Sequence, residues 1–379
     1  MQKRISFALV ALYLFPWGIQ VLVDNFISVY TGSLPFATEK TVGEVGAIGA
    51  IVTMIAQLLW TRAADRIKDK SNALTLSLLL VAVFASLFLV FDVTKPLLFL
   101  FVTLFYSCYL THQPLIDTIA SDNYSKTNRP FGWFRSFASF GYAAMGFLFT
   151  FLPNDGNKFF IYVVILALVG AAVSRLVKSP NTYTAEEKKN SGGYMNRKFV
   201  CFLIFSFLLF MCSRTLATFF GAYYCDAEKG LGGSIGVFSL LVSIGTFGEW
   251  AVMLIFGRLI ERMKFVYVFL TIALAGIFRC LVIFLVGDPY LMSVVCIFSA
   301  VWYGFLWSSA TPYIKKIVPE EAFASAQGIW SVIAFGIAPF VGNYLSGVFA
   351  ETFGYRILFL AVAGVMALLA LLTPVLIKE

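Results

Sequence analysis

Residues 113–142 read QPLIDTIASDNYSKTNRPFGWFRSFASFGY. Asp117 lies near the end of one long apolar run, and Arg135 lies just after the start of the next. A short polar turn, Ser121 to Arg129, separates the two runs. If both runs cross a bilayer, the turn makes them an antiparallel pair and sets the acid opposite the base at similar depth. A charged side chain there costs about 2.5–3.5 kcal/mol on insertion scales, so it is kept for pairing or for function. Arg135, Ser139 and Tyr142 follow i, i+4, i+7 and share one helix face. A guanidinium fork, a hydroxyl and an aromatic plane on one stripe suit a polyhydroxylated ligand.

The composition agrees with a membrane setting. Hydrophobic residues make up 60% of the 379-residue chain and charged residues 13%, against about 25% charged in soluble proteins. The fold class expected is all-α and polytopic. A net charge of +8 does not call for nucleic acid, because the basic residues fall in short loops between apolar runs. Cys108, Cys201, Cys212, Cys225, Cys280 and Cys296 lie in or beside those runs without metal-ligand spacing, and there is one histidine. No metal and no cofactor is expected. The first apolar run is longer than a signal-peptide core and is read as a retained span. GxxxxGK[ST] is absent, so the chain has no loop for ATP phosphates, and no covalent chemistry is expected.

A span takes about 20 apolar residues. Twelve candidates emerge, near 5–31, 43–61, 73–91, 97–120, 131–152, 159–177, 199–224, 234–256, 266–286, 290–313, 326–349 and 356–376. With the N-terminus inside, five of the 28 Lys and Arg residues face outward: Lys40, Lys95, Lys158, Lys229 and Arg356. Arg135, Arg214 and Arg279 lie within spans, and the remaining twenty face inward. That bias places both termini in the cytoplasm of a protein of the plasma (inner) membrane. Residues 178–198, KSPNTYTAEEKKNSGGYMNRK, contain no apolar run and read as a cytoplasmic linker. The linker separates an N-terminal six-helix half, 1–177, from a C-terminal half, 199–379. Asp65-Arg66 after the second span and Glu261-Arg262 after the eighth repeat one pattern, each four residues beyond a small residue. Two repeated halves imply a central cavity at membrane mid-depth.

The Asp65-Arg66 loop resembles the motif between the second and third helices of the major facilitator superfamily, with Thr61 where a glycine is usual. Val318-Pro319-Glu320-Glu321, ahead of Ala326-Gln327-Gly328, is similar to that superfamily's loop between helices ten and eleven. A narrower resemblance, to the lactose permease or oligosaccharide:proton symporter branch, rests on Pro114 to Asp117, Gly132 to Arg135 and Gly141-Tyr142. The 18-residue interval from Asp117 to Arg135 matches that branch, with Asp for its Glu and Tyr142 for its Trp. Gly248-Glu249 and Arg279 match an acid and an arginine used there for sugar binding and proton coupling. The resemblance implies a sugar site lined by Asp117, Arg135, Tyr142 and Glu249, with Arg279 beside the proton carrier. The branch's helix-ten His and Glu are absent, and the corresponding stretch holds Trp302, Tyr303 and Trp307 instead.

Asp24, Asp117 and Glu249 stand against Arg135, Arg214 and Arg279 within the spans, and the charges cancel. One reading is three fixed ion pairs that lock helices. A transporter whose halves rock instead uses pairs that form and break. Glu249, placed near Arg279, is the first candidate for the proton carrier, followed by Asp117 and then Asp24. His112 points off the Asp117 face and fits packing better than coupling. Trp302 is expected to contact ligand, and Asp65 and Arg66 to latch a gate. The function expected is proton-coupled import of a sugar or glycoside by a monomeric secondary transporter in the lipid bilayer. A nucleoside or aromatic acid is the alternative cargo, and a non-transporting, permease-like sensor is the rival of a different class.

Overall fold

The computed structural model describes residues 2–127, 129, 131–179, 195–319 and 322–377, without the side chains at 65, 131, 132, 257, 258, 260, 261 and 324. Every regular element among the described residues is helical. The helices are α1 (Gln2–Gly32), α2 (Glu39–Arg66), α3 (Lys70–Val90), α4 (Lys95–Tyr106), α5 (His112–Asn123), α6 (Phe131–Phe149) and α7 (Phe159–Ser174). They continue as α8 (Arg197–Cys225), α9 (Ile235–Arg262), α10 (Phe265–Leu285), α11 (Val294–Ile317), α12 (Phe323–Val332), α13 (Ala338–Phe353) and α14 (Tyr355–Leu376). Each of the twelve apolar stretches in the sequence is occupied by one helical rod, two of them interrupted. Nine helices among the described residues are long and apolar enough to cross a membrane.

The fourth rod departs from the single span expected over 97–120. It breaks between α4 and α5, where Leu110 takes φ 60°, a left-handed conformation that costs a branched side chain about 1–2 kcal/mol. Pro114 supplies the cause. Its ring nitrogen has no hydrogen for the carbonyl four residues back, and its ring crowds that same carbonyl. Leu110 O is bonded instead by Gln57 Nε2 at 3.1 Å. Trp60 Nε1 likewise donates to Ser107 O at 2.9 Å. Side chains of α2 therefore replace the helical bonds that the break gives up, as buried backbone groups require.

The eleventh rod is interrupted by a π-turn over Ile333–Ile337, between α12 and α13. Pro339 again lies just beyond the irregularity, at the start of α13. Its missing N–H frees the carbonyl of Phe335, and the widened turn accommodates the loss.

Two compact units emerge from the packing. The first comprises Met1–Ala37, Ile51–Glu186 and Ile235–Ser243. Within it α1 packs on α6 and α7, and α3 packs on α7 and α5. Phe88 and Phe160 stack at its core with centroids 4.3 Å apart. Ser239 Oγ donates to Gly146 O at 2.6 Å, and a Cβ on Gly146 would lie 2.6 Å from Ser243 Oγ. A side chain at Gly146 would have to displace the Ser243 hydroxyl.

The start of the linker is stitched into this first unit. Ser71 Oγ donates to Val177 O at 2.6 Å, Ser179 N donates to Asp69 Oδ1 at 3.0 Å, and Asn123 Nδ2 donates to Lys178 O at 3.1 Å. Asp122 accepts from Ser179 Oγ and pairs with Lys70 at 3.3 Å. Residues 180–194 of the linker lie outside the described residues.

The second unit comprises Thr38–Ala50, Glu187–Ser234 and Ile244–Glu379. Here α8 packs on α13 and α14, while α10 packs on α11 and α14. A cluster of Phe202, Phe265, Phe269 and Tyr313 fills one end of its core. The first turns of α2 belong to this unit and press on α13. A Cβ on Gly43 would lie 2.5 Å from Asn343 O and 2.7 Å from Gly347 Cα.

Candidate substrate site

Four side chains of α1 build one wall of the site in the first unit. Tyr13, Trp17, Gln20 and Asp24 follow i, i+4, i+7, i+11 and lie along a single stripe. Across from them, α5 presents Gln113 and Asp117 one turn apart, and α6 presents Arg135, Ser139 and Tyr142. The break in the fourth rod sets the entry of α5.

Asp117 and Arg135 meet, with Arg135 Nε 3.4 Å from Asp117 Oδ1. Both side chains remain open to one side, 39% and 42% exposed. Tyr13, fully buried behind them, donates its hydroxyl to the same Oδ1 at 2.7 Å. The Arg135 guanidinium rests over Trp17, 4.8 Å from the ring centroid, and lies 5.9 Å from that of Tyr13. Such a cation over an indole face contributes about 0.5–2 kcal/mol, depending on desolvation.

A second cluster continues up the stripe. Asp24 accepts from Tyr109 OH at 3.1 Å and from Gln20 Nε2 at 3.2 Å. Gln20 Oε1 in turn accepts from Gln113 Nε2 at 2.7 Å. Tyr142 OH accepts from Asn25 Nδ2 at 2.8 Å. Ser139 is half-buried on the Arg135 face. His112 is almost wholly enclosed and meets Trp17 edge-on at 5.5 Å, as a packing residue does.

In the second unit the expected partners do not meet. Among the described residues, neither Glu249 on α9 nor Arg279 on α10 forms an ion pair. Arg279 is only 6% exposed. Glu249 lies where α9 runs close against α11: a Cβ on Gly304 would come within 3.3 Å of Glu249 O. Trp302 is fully buried. Its ring fills the slot left by Gly276, where a Cβ would lie 2.1 Å from the indole, with Met366 alongside. Packing between α10, α11 and α14 thus holds the indole expected to contact ligand.

Accessible aromatic surface lies instead with its neighbours. Tyr303 stacks on Trp307 with centroids 6.5 Å apart and 12° between planes. Trp307 stacks on Phe335 at 6.0 Å and 19°. Tyr303 OH also meets Ser213 Oγ at 3.1 Å. Phe335 stands on the π-turn, and it and Trp307 are each 39% exposed. Arg66 is exposed at the end of α2, while the side chain of Asp65 lies outside the described residues.

The spacing of Tyr13, Trp17, Gln20 and Asp24 carries the signal for the α1 wall, of which Asp24 alone is named in the sequence reading above. The Phe335 position had no such signal, because a π-turn shifts every later residue off the 3.6 period.

Residues 7–361 match the model of the MFS_1 like family. The chain belongs to the major facilitator superfamily. A maltose permease of Geobacillus stearothermophilus is 26% identical over 91% of this chain and 88% of that protein. An uncharacterized transporter, YwbF, of Bacillus subtilis (strain 168) is 22% identical over 96% of this chain and 92% of that protein. Among solved structures, a mutant form of the nucleoside transporter NupG superposes with a TM-score of 0.86 at 17% identity, covering 99% of this chain and 100% of that one. The fold is therefore the major facilitator fold, twelve transmembrane helices in two six-helix halves. The chain is a multi-pass secondary transporter, and its relatives are transporters rather than enzymes.

Proposed function

We propose that this transporter imports a sugar or glycoside together with protons, by alternating access, with both termini in the cytoplasm. The observation that carries the reading is the half-open Asp117–Arg135 pair backed by Tyr13 and Trp17. Arg135 offers a planar set of donors, Asp117 offers acceptor oxygens, and Tyr142 adds a ring on the same face. Vicinal hydroxyls of a sugar match that combination, since each is both donor and acceptor. The likeness to a maltose permease supports the same cargo class. Glu249, Asp24 and Asp117 are the carboxylates that this reading assigns to coupling, with Arg279 as the cation of the second unit.

Nucleoside transport is the second reading. The Tyr303–Trp307–Phe335 stack presents flat faces suited to a nucleobase, and the chain shares its fold with a nucleoside transporter. Aromatic faces also stack on pyranose rings, and the uptake experiment below separates the two cargoes.

Proteoliposomes holding only this protein test the proposal, with maltose and uridine as probes. Uptake driven by an inward proton gradient, saturable and lost in Arg135→Lys, is expected for maltose. Lysine keeps the charge but not the fork. Uptake of uridine alone would select the second reading. Binding of a probe without transport would point to a sensor.

A further inference from the structure

We propose that Tyr13 is a positioning residue that holds Asp117 satisfied while Arg135 lets go of it to take the substrate. This rests on the reading of the Asp117–Arg135 pair as part of the substrate site. Three distances carry the inference. Tyr13 OH lies 2.7 Å from Asp117 Oδ1, whereas Arg135 Nε approaches the same oxygen only to 3.4 Å. A charge-assisted N–H···O bond normally closes to about 2.7–2.9 Å. The phenol therefore occupies the oxygen at full hydrogen-bond strength, and the guanidinium holds it loosely. Arg135 is meanwhile supported from elsewhere, 4.8 Å from the Trp17 centroid.

The two supports come from one helix. Tyr13 and Trp17 are one turn apart on α1, with rings 5.3 Å apart, and they are 0% and 5% exposed. They form a fixed backing for two side chains that are themselves half-open. When a ligand draws Arg135 away and covers the open side of the pair, the Asp117 carboxylate would lose its ion pair and its access to water together, which is costly without another donor. With Tyr13 in place, Asp117 keeps one short hydrogen bond throughout. The exchange of ion pair for ligand then proceeds without that penalty. Tyr13 supplies the donor, Trp17 the surface on which the guanidinium rests, and neither needs to touch the substrate.

Chemical modification of arginine reads the exchange without any ligand. Phenylglyoxal attacks free guanidinium groups, and the modification of Arg135 is followed by mass spectrometry in purified protein. In Tyr13→Phe, Asp117 has only Arg135 to pair with, so Arg135 is expected to react several-fold more slowly than in the parent. An unchanged or faster rate in a Tyr13→Phe protein with parental melting behaviour would overturn the proposal. Asp117→Asn provides a second measure with Tyr13 intact. Because the parent pair is already loose, the Arg135 rate is expected to rise by less than about twofold, and a tenfold rise would overturn the proposal. In the double variant the Tyr13→Phe effect is expected to vanish. Protection of Arg135 by maltose or uridine tests the site itself. Absence of protection with the expected ligand-free rates would refute the substrate site, and with it the exchange for ligand, and would leave Tyr13 only as the residue that holds Asp117.

Discussion

Lys229 donates from Nζ to Glu39 Oε1 at 2.8 Å, and the two side chains differ sharply in burial, 60% against 7% exposed. Glu39 stands in the first turn of α2, where the helix dipole favours a negative charge. The hydrogen bond to Glu39 holds the Lys229 ammonium above its ordinary range. A raised lysine stabilises the fold fully below its unfolded value, about 10.4, and the contribution is lost as pH rises through the folded value. Lys229→Met is expected to lower the melting temperature modestly at pH 7, by the equivalent of less than about 1 kcal/mol, because Lys229 is largely solvated. The gap between parent and variant is expected to narrow as pH rises past about 10.4 and to close only above the raised folded value. Melting curves across pH 6–11 check both statements, and a constant gap would refute the pairing.

The Gly43–Gly347 approach leaves no space for a side chain, with a Gly43 Cβ only 2.7 Å from Gly347 Cα. Gly43→Val is expected to push α2 away from α13 at a cost of about 1–3 kcal/mol, the range for overpacked sites. Thermal unfolding in detergent measures the loss. Gly364→Ala is the control, since a Cβ there meets nothing within 4 Å, and its melting is expected to be that of the parent.

Tyr142 contributes both a ring and a hydroxyl held by Asn25. Tyr142→Phe keeps the ring and is expected to weaken substrate affinity less than Tyr142→Ala. Because Phe also leaves Asn25 Nδ2 with only the Val21 carbonyl, a small drop in melting temperature should accompany it. Ligand titration of the two variants separates the contributions. Equal losses would assign the effect to the hydroxyl, and no loss in either would make Tyr142 a packing residue.

Glu249 lies in a transmembrane helix without an ion-pair partner among the described residues. Glu249→Gln fixes the group in a form resembling its neutral state. The proposed coupling role predicts retained exchange of substrate across the membrane and lost accumulation against a gradient. Counterflow and proton-driven uptake, measured in parallel for Asp24→Asn, Asp117→Asn and Glu249→Gln, identify the carrier. Accumulation intact in all three would refute proton coupling through these carboxylates.

The large pattern was legible because hydrophobic spans and loop charge report directly on the bilayer. The helix-four acid and helix-five arginine were equally legible, since a short turn between two spans fixes them at one depth. The Asp117–Arg135 contact follows from that geometry alone. Other features depended on information that periodicity does not carry. Pro114 signals a disturbance, but the break at Leu110 also needs Gln57 and Trp60 from another helix to satisfy the freed carbonyls. Trp302 reads as a binding aromatic in isolation. Its burial is decided by Gly276, twenty-six positions away and invisible as its partner until the helices are packed. Glu249 and Arg279 were paired on a resemblance to a family branch, and the resemblance did not fix their side-chain geometry.

The divided fourth rod also bears on how the chain enters the membrane. Twelve helical residues, Lys95–Tyr106, extend only about 18 Å, short of the roughly 30 Å hydrocarbon layer. The completing piece, His112–Asn123, carries Gln113, Asp117, Asp122 and Asn123 and is poorly suited to leave the translocon for lipid unaided. Two of these side chains find partners on α1: Asp117 accepts from Tyr13, and Gln113 donates to Gln20. Synthesis delivers α1 first, so the polar half of the fourth rod emerges to a helix already waiting with complementary groups. The side chains that line the site thereby double as the insertion partners of the least apolar span.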